Sequence, residues 1–407
     1  MFLLLLGTNS NIFAGGFQIN EHGARAMALG GAFTAIANDA SAVYWNPAGI
    51  SFLKGTQFIL GTAMIAPQSS FRGVTPAVDA YYMHQDLFFP SHFFVTHQFN
   101  SFITAGVGIS SPFGLETTWD NDWIGRYLAI NTKLTTFSAP LVVSFALLDN
   151  LSISVGGSYS WASVTIRQAT PLTPFQGDAM ITLDGTDNTG FGYNFGFMWR
   201  PIDEVSIGGS FKSEVNYDFT GTATSQGPGQ VAGQLPKGDI SAKLTTPINI
   251  QGGIAVRVIK QLRLSADFQW VQWSSYDTLA VDFKNPAFED IASPRLYDDS
   301  YILRFGAEFD WNDDISLLGG FYFDKNPVDP KYVNPSLPDT DRLGFSVGVD
   351  AQLWENFGIT GSFLFIRGKQ LTVTNSQEIY TSGNSPFNGT YNASASLLSL
   401  SLHYTIN

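Results

Sequence analysis

The sequence predicts an all-β protein, a transmembrane antiparallel β-barrel of about 14 strands with a small N-terminal hatch, or plug, in its lumen. Three observations lead to this fold class. Apolar residues return at every second position in segment after segment, no apolar run is long enough for a membrane helix, and the connections alternate between short and long.

The two-residue alternation is clearest between residues 190 and 199 and between residues 151 and 161. In the first segment every odd position is aromatic, and the even positions are Gly, Asn and Met. Only a β-strand sends successive side chains to opposite faces. The second face carries Ser, Gly, Thr and Asn with few charges, which is typical of a barrel lumen; the outer faces of a soluble sandwich are solvated and charged.

The composition excludes several classes of protein. The chain has 407 residues, of which 14% are charged and 14% aromatic, and its net charge is −13. No stretch approaches the roughly 20 apolar residues of a membrane-spanning helix, and lipid admits only helices or closed barrels. The acidic balance argues against nucleic acid as a partner, and the absence of cysteine excludes disulfides.

The alternation divides the chain into an even number of predicted strands, as a bacterial single-chain barrel requires. They lie near residues 55–66, 90–99, 102–113, 132–148, 151–168, 188–200, 204–220, 239–258, 261–283, 300–311, 314–325, 340–353, 356–375 and 389–406. Tight turns are predicted at Asn100-Ser101, Asp149-Asn150, Pro201 to Asp203, Lys260, Asn312-Asp313 and Glu355-Asn356. The intervening connections are longer and rich in Pro, Gly, Asp and Asn, so the short turns are expected on the periplasmic side.

The chain is predicted to have three parts. Residues 1–14 contain an apolar run and a small residue at Ala14, which indicate part of a secretory signal peptide or, alternatively, a short disordered terminus. Residues 15–53 are rich in Gly and Ala and do not alternate, and residues 54–407 form the barrel. The middle part is either a plug in the lumen or a periplasmic tail. Its small apolar residues favour the plug.

Several motifs resemble a known family. They are Gly16 to Glu21, Gly30-Gly31-Ala32, Asn38 to Ala42, Asn46-Pro47-Ala48-Gly49, Pro112 to Glu116 and Trp123 to Tyr127. In this order they resemble the FadL/TodX-type outer-membrane transporters of long-chain fatty acids and hydrophobic compounds. The resemblance implies a monomer in the outer membrane of a Gram-negative bacterium, surrounded by lipid and lipopolysaccharide. It also implies a hatch containing Asn46, Pro47 and Ala48, and no cofactor.

The resemblance further implies that hydrophobic molecules leave through the barrel wall at an inward kink of the third strand. That predicted strand carries Gly106, Gly108 and Pro112. Glycine weakens a strand and proline cannot donate to its ladder, so a local break is physically reasonable. The alternative is that Pro112 only ends the strand at its loop.

Charged residues on the lumen face are candidates for ligand binding, because each must be paired, solvated or used. Alternation assigns to this face Lys212, Glu214, Arg257, Arg263, Asp267, Arg304, Glu308, Asp310 and Asp350. They are predicted to form a neutralised network around the hatch. Alternatively, Arg257 or Arg304 binds a substrate carboxylate, since a guanidinium can hold it with two hydrogen bonds.

Arg167 is a third basic candidate, because residues 161–170 resemble the family segment in which a basic residue faces the fatty-acid carboxylate. Strict alternation points Arg167 outward, whereas a register change after Trp161 would turn it inward. The apolar part of a binding site is expected from Phe17, Ile19 and Phe33, unless these residues only pack the plug.

Two other functions are alternatives to uptake of hydrophobic molecules. A general porin would lack the plug and favour a more charged constriction. An outer-membrane lipase or protease would need a nucleophile motif, but the five histidines are scattered and neither Gly-x-Ser-x-Gly nor His-Glu-x-x-His occurs. The sequence therefore predicts no catalytic residue and no metal site.

Overall fold

The computed structural model describes residues 15–172, 177–379 and 385–406, so the predicted signal segment 1–14 lies outside the described residues. The strands form one antiparallel sheet that closes on itself. The first strand, β1 (Thr56–Gly73), pairs with the last, β21 (Gly389–Ile406), along its whole length and with β3 (Ser91–Gln98) on its other edge. The strand order is that of a closed barrel, as predicted.

The remaining strands follow in chain order: β2 (Tyr81–Tyr82), β4 (Ile103–Ile109), β5 (Gly114–Thr118), β6 (Asn131–Leu148), β7 (Leu151–Pro171), β8 (Asp178–Ile202), β9 (Val205–Lys212), β10 (Asn216–Gln226), β11 (Gly238–Thr245), β12 (Asn249–Ile259), β13 (Leu262–Val271), β14 (Thr278–Phe283), β15 (Ile291–Pro294), β16 (Ser300–Asp310), β17 (Ile315–Asp324), β18 (Arg342–Trp354), β19 (Phe357–Gly368) and β20 (Leu371–Val373). The helical elements are short: α1 (Ala24–Ala28), α2 (Ala42–Trp45), and 3-10 turns at Pro47–Phe52, Trp273–Ser275 and Pro330–Tyr332.

Each of the barrel's long strands is hereafter called a wall. Seven walls consist of two strand pieces each: β2/β3, β4/β5, β9/β10, β11/β12, β13/β14, β15/β16 and β19/β20. With the seven undivided strands they make a ring of 14 walls among the described residues. The predicted number of strands is therefore confirmed. The pieces were not predicted: β2, β5 and β15 lie in predicted connections, and the other breaks fall within or beside predicted continuous strands, as at Thr246 to Ile248.

The alternation predicted for residues 190–199 is present in β8. Phe191 is 66% exposed and Trp199 43% exposed, whereas Asn194 and Met198 on the other face are buried. An exposed apolar face on a closed sheet is stable only in lipid. None of the described helices is long and apolar enough to cross a membrane.

Two predictions about strand boundaries were wrong. The connection expected at residues 169–187 is mostly strand, because β7 and β8 continue as a paired hairpin up to Pro171 and Asp178. Strand β8 has 25 residues, more than twice the 9 to 11 that cross a bilayer. The second wrong prediction assigned Glu214 to the lumen face of a continuous strand. Glu214 is exposed in the break between β9 and β10. Beyond this break the odd residues, from Val215 to Phe219, are the buried ones.

Residues 15–53, hereafter the N-terminal segment, pack within the ring. Helix α1 contacts β17, β18, β19 and β21, and the 3-10 turn Pro47–Phe52 contacts β4, β6, β7 and β8 on the other side. Nearly all residues between 24 and 51 are buried. Small side chains allow this close approach: a Cβ at Gly320 of the wall would lie 2.1 Å from the backbone nitrogen of Gly30.

Candidate functional site

Ion pairs join the N-terminal segment to strands β16 and β18 of the barrel. The Arg25 guanidinium contacts Glu308 at 2.8 Å and also contacts Asp350. Glu308 also pairs with Arg263 at 3.3 Å, and Asp350 is 3.2 Å from the His403 imidazole. These charges form a neutralised network around the segment. Its members are structural partners of one another and leave few charges free for a ligand.

The motif Asn46-Pro47-Ala48 fixes the turn of the N-terminal segment against the wall. The Asn46 amide donates to the carbonyl of Thr34 at 2.8 Å and to that of Phe197 at 3.0 Å. Its oxygen accepts from the backbone of Ala48 as an N-cap. The Ala48 carbonyl in turn accepts from Ser152 at 2.8 Å. The motif therefore joins the segment to two strands and does not face a cavity.

The third wall is interrupted between β4 and β5, from Ser110 to Phe113. There the chain pairs with the N-terminal segment, because Gln18 and Phe113 form an isolated bridge. Ile19 donates to the Pro112 carbonyl at 2.9 Å, and Gly114 donates to the Phe17 carbonyl at 3.0 Å. Since these partners lie within the ring, the interruption bends inward. Pro112 lies in the bend and the strand resumes after it.

The glycine candidates lie below this interruption and have a different role. Gly106 and Gly108 are in β4, paired with Thr96 and Phe94 of the second wall. A Cβ at Gly108 would lie 2.2 Å from the Phe94 ring, and one at Gly106 would lie 2.5 Å from Val43 of the N-terminal segment. Both glycines therefore allow close packing in a continuous stretch of strand, and the break begins at Ser110.

Two apolar cavities lie above the N-terminal segment, towards the long loops. The outer cavity has a volume of about 260 Å³, and the inner cavity about 580 Å³. Phe17, Leu115, Leu134 and Leu337 line both cavities and separate them. Phe17 is buried and packs edge-on to Trp273 at 4.8 Å between ring centroids. Both cavities have mostly apolar linings, as is typical of sites for apolar ligands, and the inner cavity also has charged groups, among them Glu21, Arg304 and Arg342.

The inner cavity reaches the outer surface of the barrel beside the third-wall bend. Its lining includes Phe89 and Phe137, which are 57% and 37% exposed on the outer face. Among the described strands, β5 pairs only with β6, so its other edge is not closed by a neighbouring strand. The inner cavity thus borders this edge of β5, between the second and third walls.

The predicted apolar contacts separate into two groups. Phe17 and Ile19 line the inner cavity. Phe33 is fully buried and packs against Trp45, 6.4 Å between centroids, in the interior of the N-terminal segment. It borders neither of the two apolar cavities. Of the three residues, two are placed to contact a ligand and Phe33 packs the plug.

The predicted basic residues are also separated by the structure. Arg167 faces outward: β7 pairs with β6 without a register change at this point, and Val164 and Ile166 line the outer cavity on the opposite face. Of the two alternatives, strict alternation therefore holds for Arg167, and β7 has no register change against β6 after Trp161. The irregularity lies in the partner strand β8, which has one additional residue opposite Trp161.

Arg257 lies at the end of the barrel where the short turns connect the strands. Its guanidinium contacts Asp310 at 3.0 Å and the Lys260 carbonyl at 2.6 Å. It lines a separate cavity that includes turn residue Asp203, on the far side of the N-terminal segment from the apolar cavities. A ligand in either apolar cavity would not reach it.

Arg304 is the one predicted arginine that lines the inner cavity. It is buried, and it donates to the Gly30 carbonyl at 3.1 Å and to Gln269 at 3.0 Å. Glu21 of the N-terminal segment lines the same cavity. Burial raises the pKa of Glu21, while the Asn20 backbone and the charges of Arg304 and Arg342 act in the opposite direction. Arg304 therefore already has protein partners and an acidic neighbour.

Lys212 was predicted to face the lumen but was not among the binding candidates. It faces a small cavity of about 80 Å³ with a mostly apolar lining, together with Gln18, Phe113 and Asn194. Its ammonium lies 3.5 Å above the centre of the Tyr44 ring. Sequence alternation could place Lys212 inside but could not show that no acidic side chain pairs with it among residues 15–172, 177–379 and 385–406.

A closed barrel of 14 walls with an apolar outer face and internal apolar cavities defines an outer-membrane transport protein. Residues 5–406 match the family described as outer membrane protein transport protein (OMPP1/FadL/TodX), and the chain belongs to this family. It is therefore a transporter channel of the Gram-negative outer membrane and not an enzyme.

Individual relatives cover almost the whole chain at low identity. Outer membrane protein P1 of Haemophilus influenzae is 23% identical over 98% of both chains. A long-chain fatty acid transport protein of Salmonella typhi is 24% identical over 90% of both.

Among solved structures, a Pseudomonas aeruginosa FadL homologue has a TM-score of 0.85 at 20% identity, covering 97% of this chain and 100% of its own. The P. putida toluene transporter TodX has a TM-score of 0.79 at 17% identity, covering 95% and 99%. At these identities the structural similarity establishes the fold.

Proposed function

We propose that this protein takes up hydrophobic molecules, long-chain fatty acids or aromatic hydrocarbons, and releases them sideways through the barrel wall. The ligand would enter the outer cavity from the loop side, pass Phe17 into the inner cavity, and leave between the second and third walls. The observation that carries the proposal is the inward bend at Ser110 to Phe113, where the inner cavity meets the lipid-facing surface.

Sideways release agrees with the energetics of the cargo. Each buried methylene gains about 0.8 kcal/mol relative to water, so an apolar chain has no reason to cross an aqueous exit. The N-terminal segment, residues 15–53, would act as a plug that closes the lumen to solutes. Relatives described as fatty-acid and toluene transporters support this range of cargo.

The protein is proposed to act as a monomer in contact with membrane lipid and lipopolysaccharide. The ring closes through β1 and β21 of one chain, so no second subunit is needed to remove exposed strand edges.

A blocking substitution tests the wall opening. Ser111 lines the inner cavity at the bend, and Ser111→Trp should fill the passage and abolish uptake of a radiolabelled fatty acid by whole cells. Val347→Trp is the control, because Val347 is 60% exposed on the outer face of β18, in an undivided wall. Normal uptake by Ser111→Trp, at normal levels of heat-modifiable protein in the membrane, would contradict sideways release.

The porin alternative predicts a different behaviour. Liposomes that contain a general porin swell as small sugars enter freely, whereas a plugged transporter gives no such swelling. Rapid swelling in arabinose with the unaltered chain would therefore favour the porin and contradict the plug.

A further inference from the structure

We propose that the cavity beside Arg257, at the end of the barrel with the short turns, binds a phosphate group that enters from the periplasm. This cavity, hereafter the turn-side cavity, has a volume of about 460 Å³ and is lined by residues of β8, β9, β12 and β13 and by residues of the N-terminal segment such as Asn38. It shares no lining residue with the two apolar cavities. A ligand in it is therefore distinct from the hydrophobic cargo of the proposed uptake.

Three arginines line the turn-side cavity from three strands. Arg257 of β12 and Arg263 of β13 are directly opposite each other in the strand register, and Arg200 belongs to β8. Like charges in opposite positions destabilise a sheet, so such a cluster needs balancing acids. Arg257 has Asp310 at 3.0 Å, whereas Arg263 shares the Glu308 carboxylate with the N-terminal segment. Negative charge is therefore lacking on the side of Arg200 and Arg263.

Arg200 has no ion-pair partner among residues 15–172, 177–379 and 385–406. Its guanidinium lies 3.8 Å from the centre of the Phe52 ring and contacts the Met198 sulfur at 3.8 Å. The charged side chain that acts on it is Arg263, a second cation. A cation that is partly removed from water without a counter-charge is costly, so an anion would be stabilised beside Arg200.

Two acids also line the turn-side cavity, Asp203 and Glu204. Both are exposed in the turn between β8 and β9, and neither forms an ion pair in the described part of the chain. Exposed carboxylates stay hydrated and are screened by salt, so they offset little of the charge of a partly buried guanidinium. Lys54, also exposed, adds a further cation to the lining.

Neutral polar groups of the turn-side cavity also lack partners. The Ser206 hydroxyl and the side-chain oxygen of Asn38 are buried there without a hydrogen bond. Unpaired polar atoms in a cavity mark a place for water or for a polar ligand. Two guanidinium groups and a hydroxyl can donate to several oxygens of one phosphate, whereas a carboxylate has only two acceptor atoms. The cavity therefore fits a phosphate better than a carboxylate.

The test titrates four small molecules into the purified full-length protein, in a nonionic detergent and a phosphate-free buffer of low ionic strength. Inorganic phosphate and glycerol 3-phosphate should both release heat of binding in a calorimeter, acetate should bind at least about tenfold more weakly, and glycerol should not bind. Binding of both phosphates supports the free ion as the ligand. Binding of glycerol 3-phosphate alone supports a phosphate ester.

Substitutions locate the site. Arg200→Gln should weaken phosphate binding about 10- to 100-fold, the range of one charge-assisted hydrogen bond. Arg200→Lys keeps the charge but loses the planar fork, so its affinity should lie between those of the parent and Arg200→Gln. Lys212→Gln is the matched control, because Lys212 is also a lumen cation without an acidic partner in the described part of the chain but lines a different cavity. Heat modifiability of each variant shows that its barrel is intact.

A spectroscopic measurement separates direct contact from an effect on folding. The ³¹P resonance of bound phosphate should titrate at lower pH than that of free phosphate in the parent, because neighbouring cations favour the dianion, and should return towards the free value in Arg200→Gln. Three results would each overturn the site and leave the uptake of hydrophobic molecules intact: no phosphate binding by the parent, equal phosphate affinity in the parent and both Arg200 variants, or acetate binding as tight as that of phosphate.

Discussion

Replacing Arg25 with Gln should loosen the N-terminal segment within the barrel. Arg25 joins helix α1 to two acids, the buried Glu308 and the partly buried Asp350, and its own side chain is 11% exposed. Breaking a buried ion pair by removing one partner costs about 3–5 kcal/mol, because the remaining charge is left unpaired. Here each acid keeps a second partner, Arg263 or His403, so the lower limit of about 3 kcal/mol applies.

This magnitude predicts a change that is measurable in planar bilayers. Since about 1.4 kcal/mol corresponds to a factor of 10, the fraction of molecules with a displaced segment should rise about 100-fold. Open events should then become frequent in single-channel records, while heat modifiability shows that the barrel is intact. The closed barrel does not depend on Arg25, because its backbone hydrogen bonds are formed between neighbouring strands.

The control is Arg126→Gln, which removes an ion pair of similar length, 2.8 Å to Asp178, in the loop region. Its two side chains are 27% and 29% exposed, and exposed pairs contribute at most about 1 kcal/mol. This variant should behave like the parent. If Arg25→Gln also opens no more often than the parent, the ion pairs do not hold the segment and the reasoning is refuted.

Three further changes have defined outcomes. Gly320→Ala places a Cβ against the backbone of Gly30 and should raise the open fraction of single-channel records, because overpacking costs about 1–3 kcal/mol. Gly319→Ala should not, because the nearest neighbour of its Cβ is at 4.0 Å. Equal open fractions for the two variants would exclude close packing as the cause. Phe17→Ala should merge the outer and inner cavities and admit pyrene-labelled decanoate, which is detected by its fluorescence. Exclusion of this probe by both the parent and the variant would show that other residues separate the cavities. Arg167→Gln and Arg257→Gln should leave the affinity for decanoate unchanged, because Arg167 faces outward and Arg257 lies beside the short turns. A tenfold loss of affinity in either titration would place the carboxylate near that arginine.

The sequence was sufficient for the walls of the barrel because the alternation repeats over many residues. Odd positions from Phe191 to Trp199 are exposed as predicted, and the turn at Asp149-Asn150 joins β6 to β7. Errors arose where local backbone geometry reversed the alternation. The break at Ser213 to Val215 turned Glu214 outward, and no residue type in that short stretch identifies it in advance.

The binding site was less accessible to sequence reasoning, because it depends on contacts between distant parts of the chain. Gln18 and Phe113 are paired across 95 positions, and only the folded ring brings them together. Charge alone could not rank the basic candidates either. Whether a lumen cation is free depends on its neighbours: Arg257 has Asp310, and Lys212 has the Tyr44 ring.

The backbone bridge between the N-terminal segment and the third wall makes closure of the lumen and the shape of the wall a single equilibrium. The Phe17 ring lines both cavities and the Phe17 carbonyl accepts the hydrogen bond of Gly114, so a ligand that shifts the backbone at Phe17 would also shift the bent strand. By linkage, if ligand binding favours one shape of the strand, adopting that shape strengthens ligand binding by the same coupling free energy. Deleting the segment would thus change the proposed lateral opening as well as the lumen, and substitutions that preserve the bridge are needed to separate the two effects.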